Sequence, residues 1–194
     1  IQDMNTERHP HRTARRWTPH LGACSMRREP RIQARIMESA MERLKIGVVG
    51  TGIMGELYIR ALQADGRVEV AAVCNRGMER REAAGERYGI AARYSDAAEM
   101  VEAERLDAVC VATPDFAHYA PAKAALEAGC HVLCEKPFTT DVDEADELCR
   151  LADARGLTIQ VAYSHRWLAP YHRTFAAIQA GEIGEPLMGY ARKN

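Results

Sequence analysis

The sequence predicts an α/β fold built on a doubly wound parallel sheet, and three features carry that expectation. Short, nearly continuous apolar runs such as Leu44–Val49, Val68–Cys74 and His131–Cys134 suit parallel strands buried on both faces. Helical stretches alternate with these runs at the spacing of β-α-β units. A glycine motif, Gly50-Thr51-Gly52-Ile53-Met54-Gly55, stands at the first strand-to-helix junction.

The elements follow in order. Leu44–Val49 is the first strand, Glu56–Leu62 a helix, and Val68–Cys74 the second strand. Glu79–Tyr88 reads as a helix stopped by Gly89, Ala91–Tyr94 as a short strand and Asp96–Ala103 as a helix. Leu106–Thr113 is a buried strand closed by Pro114, and Ala120–Ala128 is a helix stopped by Gly129. His131–Cys134 is the next strand, Asp141–Ala154 a helix ending before Gly156, and Thr158–Tyr163 a further strand. Leu187–Lys193 reads as the first strand of something further. Acidic residues crowd the start of the helix at Asp141, where the helix dipole favours them without any catalytic reason.

Composition bounds the function classes. The 194 residues are 27% charged and 47% hydrophobic with a net charge of −1, an ordinary globular balance that excludes collagen-like chains, rods and wholesale disorder. No apolar run is long enough to span a bilayer, so no membrane role is expected. Six cysteines are too scattered for a disulfide scaffold. Cys74, Cys110, Cys130 and Cys134 sit in or beside strand-like runs and read as reduced thiols of a cytoplasmic protein. Cys130, His131 and Cys134 do not converge on a metal, because 130 and 134 share one strand face and 131 the other.

Charge divides the chain near residue 40. Residues 1–44 hold nine arginines, no lysine and five acidic residues, a net +4, while the rest balances at −5. Residues 1–40 are therefore expected to be a disordered basic extension, a floppy leader translated from upstream of a start at Met41 being the bland reading. Arg15-Arg16 and Leu21-Gly22-Ala23-Cys24 superficially match export signals, yet no apolar stretch separates them. The arginine excess is modest and Trp17 alone could stack on a base, so no nucleic-acid partner is expected. His9, His11, His20 and Cys24 match no metal-ligand spacing.

The glycine motif has a specific physical reading. Gly50 permits the tight turn, Gly52 lets backbone approach a pyrophosphate, and Gly55 lets helix and strand pack closely. The helix start then offers N–H groups and partial positive charge to phosphates. With strands on both sides, residues 50–55, Thr51, Ile53 and Met54 included, are candidate dinucleotide contacts in a Rossmann-type sheet. A P-loop is excluded because no Gly-Lys-Ser/Thr follows. Asn75 lies twenty residues after Gly55, where an NAD site places Asp or Glu on the ribose 2′-hydroxyl. Asn75-Arg76 instead suits a 2′-phosphate, which favours NADP over NAD. Arg76 stacking on adenine or facing solvent would allow either cofactor.

Glu135-Lys136-Pro137 follows the His131–Cys134 strand at the edge of the sheet where ligands bind. Lys136 there can give a proton or hydrogen bond to an oxygen, with Glu135 holding its ammonium. A surface Glu-Lys pair ending a strand is the alternative reading.

In combination, Gly50–Gly55, Ala112-Thr113-Pro114 with His118, and Ala128–Pro137 resemble the Gfo/Idh/MocA oxidoreductase family. Val161–Arg166, Pro170-Tyr171 and Ala180–Pro186 are similar to it as well, and the resemblance runs from about Met41 to the last residue. It implies NAD(P)-dependent hydride transfer at a carbinol or carbonyl carbon of a sugar, cyclitol or related small molecule. Lys136 matches the family's catalytic lysine, with Glu135 and Pro137 its neighbours in the motif. Thr113, Pro114 and His118 match the loop along the cofactor, and Arg166 falls where members contact the nicotinamide end. His118 has a second reading, as a helix-entry residue bonded to backbone. Tyr163, His165 and Trp167 either line a substrate pocket or pack a seam between domains.

The resemblance divides the chain into a dinucleotide domain over 41–163 and, over 164–194, the truncated start of an α+β C-terminal domain. That second domain supplies an Asp and a His near the reacting carbon in the family, and no matching pair stands in this chain. The expectation is a dinucleotide-binding fragment of an oxidoreductase that forms a homo-oligomer when complete. Two other classes remain open: a non-catalytic dinucleotide sensor on the same fold, and a methyltransferase with a similar glycine loop, which Glu135-Lys136-Pro137 disfavours.

Overall fold

A computed structural model describes residues 43–190 and 192. The expected basic extension over 1–40 lies outside the described residues. From Leu44 the chain alternates strand and helix: β1 Leu44–Val49, α1 Ile53–Gln63, β2 Val68–Cys74, α2 Met78–Tyr88, β3 Ala92–Tyr94 and α3 Ala97–Ala103. It continues through β4 Ala108–Val111, a 3₁₀ turn Asp115–Ala117, α4 Tyr119–Glu127, β5 His131–Cys134, α5 Val142–Arg155 and β6 Ile159–Val161. A second 3₁₀ turn, Ser164–Trp167, leads into α6 Ala169–Gln179.

The six strands form one parallel sheet in the order β3-β2-β1-β4-β5-β6. Strands buried on both faces need apolar side chains on both sides, and β1 and β4 supply them. Ile46, Val48 and Cys110 pack with Ile59, Val70, Val73 and Ile90 on the face covered by α1 and α2. Val49, Val109 and Val111 pack with Met100, Leu126 and Leu148 on the face covered by α3, α4 and α5. The doubly wound α/β expectation is met.

Boundaries differ where local chemistry overrides periodicity. Helix α1 starts at Ile53, inside the glycine motif and three residues before the apolar pattern begins, with Gly52 in extended backbone as its cap. Strand β4 is shorter than Leu106–Thr113 because Pro114 caps a 3₁₀ turn rather than merely ending a strand. Strand β6 stops at Val161, where the N–H groups of Tyr163 and Ser164 turn back onto the carbonyls of Val161 and Ala162. Helix α6 was not expected, although Pro170 in its first turn is a helix-start signal. Leu187–Tyr190, expected as strand, is irregular, with Leu187 and Met188 more than nine-tenths exposed. A strand needs a neighbour for its ladder bonds, and among the described residues none lies there.

Candidate functional site

The chain runs outward from β1 to β3 and then returns to β4 on the other side, so the loops after β1 and β4 part at the C-terminal edge of the sheet. Such a switch point leaves a crevice. Here it is a cleft of about 1330 Å³ walled by Gly50–Met54, by Asn75, Arg76 and Arg80 after β2, and by Thr113 and Pro114 after β4.

Each motif glycine has its own reason. Gly50 has φ +95°, and a Cβ there would meet the Ala112 carbonyl oxygen at 2.5 Å. A Cβ on Gly55 would stand 1.8 Å from the Gly50 carbonyl oxygen, so α1 can pack on the loop only without a side chain at that position. Gly52 is different. Its φ of −82° suits any residue, and a Cβ would meet nothing within 4 Å. Neither backbone conformation nor protein packing demands glycine there. What it preserves is open space in the cleft against the first turn of α1, which no side chain caps. This is the cradle a pyrophosphate needs, so the loop fits a dinucleotide.

The loop is tied to the end of β2. Asn75 Nδ2 donates to Thr51 Oγ1 at 2.8 Å, Thr51 Oγ1 donates to the Arg80 carbonyl at 3.3 Å, and Asn75 Oδ1 accepts from the Gly77 N–H at 2.9 Å. The Asn75 amide thus joins two loops of the cleft. Arg76 and Arg80 are exposed on the wall, and neither guanidinium has an acidic partner among the described residues. Arg80, which the sequence pattern did not single out, lies in the first turn of α2, beyond the end of β2, and reaches the same cleft wall as Arg76.

Across the sheet, Lys136 is exposed after β5, whereas Glu135 is 7% exposed. The expectation that Glu135 holds the Lys136 ammonium is corrected. Glu135 Oε1 accepts from Tyr58 Oη at 2.5 Å and Oε2 from the Lys136 backbone N–H at 3.0 Å. The strand ends at Cys134 and the chain bends at Lys136, which leaves Glu135 packed inward against α1 and Lys136 outside. Burial first, and then the Glu135 carboxylate, push the Tyr58 phenol well above the ordinary tyrosine range.

His118 is 1% exposed and lies behind the cleft wall. Its Nδ1 stands 2.7 Å from the Pro137 carbonyl oxygen and Nε2 2.9 Å from that of Thr113. The imidazole therefore bridges the loops after β4 and β5, the backbone-bonded arrangement of its two readings. Thr113 Oγ1 donates to the Ala117 carbonyl and holds the 3₁₀ turn against Pro114. Arg166 is exposed in the turn after β6 and is absent from the cleft wall. Tyr163 and Trp167 are also exposed, and His165 meets the Tyr171 ring edge-on at 5.6 Å. The Cys130 thiol donates to the Leu106 carbonyl, and His131 Nδ1 accepts from the Thr158 N–H.

The family described as an oxidoreductase family with an NAD-binding Rossmann fold, Gfo/Idh/MocA, matches residues 44–163. The chain belongs to the Gfo/Idh/MocA family. Within this family, D-apiose dehydrogenase of Paraburkholderia graminis is 30% identical over 151 residues, covering 78% of this chain and 40% of that protein. An oxidoreductase from Agrobacterium radiobacter, solved with NAD+, L-tartaric acid and magnesium, superposes with a TM-score of 0.71 at 28% identity. That match covers 75% of this chain and 42% of the other. A 3-ketoreductase from Actinomadura kijaniata, solved as a variant with TDP-benzene and NADP, gives 0.65 at 32% identity, covering 74% and 46%. The chain spans less than half the length of the curated relatives it matches. Among the described residues, no helix is long and apolar enough to cross a membrane.

Proposed function

We propose that this chain is the cofactor half of an NADP-preferring dehydrogenase or reductase acting on a sugar, cyclitol or related polyol. The observation that carries the reading is the glycine-walled cleft at the switch point, with Gly52 keeping its floor open and two unpaired arginines on its rim. Gly50–Gly55 and the first turn of α1 would hold the pyrophosphate. Arg76 and Arg80 would hold the 2′-phosphate, since guanidinium forks match phosphate oxygens and no carboxylate neutralises them. Thr113 and Pro114 would lie along the nicotinamide half.

The bound nicotinamide supplies hydride chemistry at a carbinol or carbonyl carbon. Lys136 Nζ, exposed at the C-terminal end of β5, moves the proton at the substrate oxygen. Sugar chemistry is supported by the D-apiose dehydrogenase relative. Residues 41–163 are read as the dinucleotide domain. The run beyond it, with exposed Tyr163, Trp167, Tyr171 and Phe175, is read as the side on which a substrate domain is built. Buried free thiols at Cys74, Cys110, Cys130 and Cys134 fit a reducing cytoplasm.

The test follows nicotinamide absorbance with a panel of polyols, sugars and their ketones, using the protein encoded by the whole gene. At least one member should be turned over, and Lys136→Met should lower kcat by at least about a hundredfold while NADPH affinity stays within a few fold. Turnover undiminished in Lys136→Met would contradict the lysine's role. NADPH binding with an inert panel would favour the non-catalytic sensor.

A further inference from the structure

A buried carboxylate without a counter-ion needs a reason. Glu135 is 7% exposed, and among the described residues no Lys, Arg or His pairs with it. Taking an anion out of water is costly, and two hydrogen-bond donors offset only part of that cost. Those donors come from distant parts of the chain. One is the Tyr58 hydroxyl, from the middle of α1, and the other is the backbone N–H of Lys136 itself. The two oxygens are used separately, so the carboxylate spans from helix to lysine backbone as a rigid link. Helix α1 is also the element whose first turn faces the cleft, and Tyr58 sits about one turn further along it. One helix therefore both walls the cleft and reaches the lysine.

We infer that Tyr58 is a positioning residue for Lys136, acting through the Glu135 carboxylate to set the lysine's backbone relative to the glycine cleft. The carboxylate is retained in spite of its burial because it fixes that backbone. Beyond the lysine, the Pro137 carbonyl lies 2.7 Å from His118 Nδ1, so the backbone has contacts at the Lys136 N–H and again one residue later, while the lysine side chain is exposed. The Tyr58 phenol is protonated at neutral pH and so can donate, and burial with the Glu135 carboxylate extends that range to higher pH. The inference rests on the reading of Lys136 as the proton-handling group, but its test does not need turnover.

The sequence contains four lysines, at 45, 123, 136 and 193, so a chain labelled with ¹⁵N only in lysine gives four backbone amide signals. The Lys136 signal is assigned by its disappearance in Lys136→Arg. Amide exchange is then measured on the chain without cofactor, for wild type, Tyr58→Phe and Glu135→Gln. Tyr58→Phe removes one oxygen atom and keeps the ring. Glu135→Gln leaves a single amide oxygen for two donors. In both variants the Lys136 amide should exchange at least about tenfold faster, the effect of weakening one charge-assisted hydrogen bond. Lys45, bonded to Asp107 within the sheet, and Lys123, in α4, should stay within about twofold. An unchanged Lys136 amide in Tyr58→Phe overturns the inference. So does a uniform acceleration of all three amides, which would mark Tyr58 as a general support of the fold. A parallel NADPH titration separates the two ideas: if NADPH fails to bind wild type, the functional reading falls while the exchange result still decides the role of Tyr58.

Discussion

Gly52 and Gly55 are three residues apart and identical in kind, yet the structure gives them opposite jobs. A methyl group at 55 would collide with the Gly50 carbonyl, whereas one at 52 would enter open cleft. Gly55→Ala should therefore lower the thermal midpoint by roughly 5 °C or more, the consequence of a loss of about 2 kcal/mol or more in a domain of this size. Gly52→Ala should leave the midpoint almost unchanged and weaken NADPH binding by at least about tenfold, because the methyl would occupy the space meant for the pyrophosphate. Circular dichroism melts and a fluorescence titration measure both; a destabilised Gly52→Ala with normal NADPH affinity would reverse the assignment. The glycines were legible in the sequence because their spacing encodes a local shape. Glu135 was not. Its neighbour Lys136 suggested an ion pair, and the inward carboxylate is explained by a partner as remote as Tyr58, which no local pattern signals.

At the scale of elements, the strands and most helices were legible for reasons that the structure makes concrete. Asp96 and Asp141 accept from N–H groups of the following turns and fix the starts of α3 and α5, while apolar runs set β1, β2 and β5 to the residue. Helix α6 is the exception: its apolar residues are as one-sided as those of α2 and α5 and Pro170 marks its start, so the signal was present although none of its described residues is buried. The central strands carry a further consequence. Burial pushes the thiol of Cys74 in β2 up to about 11 and those of Cys110 in β4 and Cys134 in β5 up to about 12. An unfolded chain gives up thiol protons from about pH 8.5, while the folded one keeps them to far higher pH. The unfolded state then binds fewer protons, so this contribution to stability is complete below about pH 8 and is lost as pH rises toward the folded values. Urea midpoints should fall between about pH 9 and about pH 11, and Cys110→Ala should flatten that slope even though it lowers stability at neutral pH. Identical slopes in the two proteins would show that the Cys110 thiol does not contribute.

For the whole molecule, the order of the six strands decides where chemistry can occur. Reversing direction after β3 opens one crevice, and the loops after β1, β2 and β4 meet there although they are far apart in sequence. The sequence announced this through its alternating pattern and glycine motif, and the family match over residues 44–163 agrees. Substrate choice was not legible in the same way, since the cleft is walled by the glycine loop, the end of β2 and the loop after β4, and no residue among them singles out a particular sugar. If the two arginines on the rim hold a 2′-phosphate, a direct titration of the chain with NADPH and NADH, followed by nicotinamide fluorescence, shows it. NADPH should saturate one site per chain with a Kd at least about tenfold below that for NADH, and the preference should disappear in the Arg76→Ala/Arg80→Ala double variant. Equal affinities, or tighter binding of NADH by the unaltered chain, would contradict it.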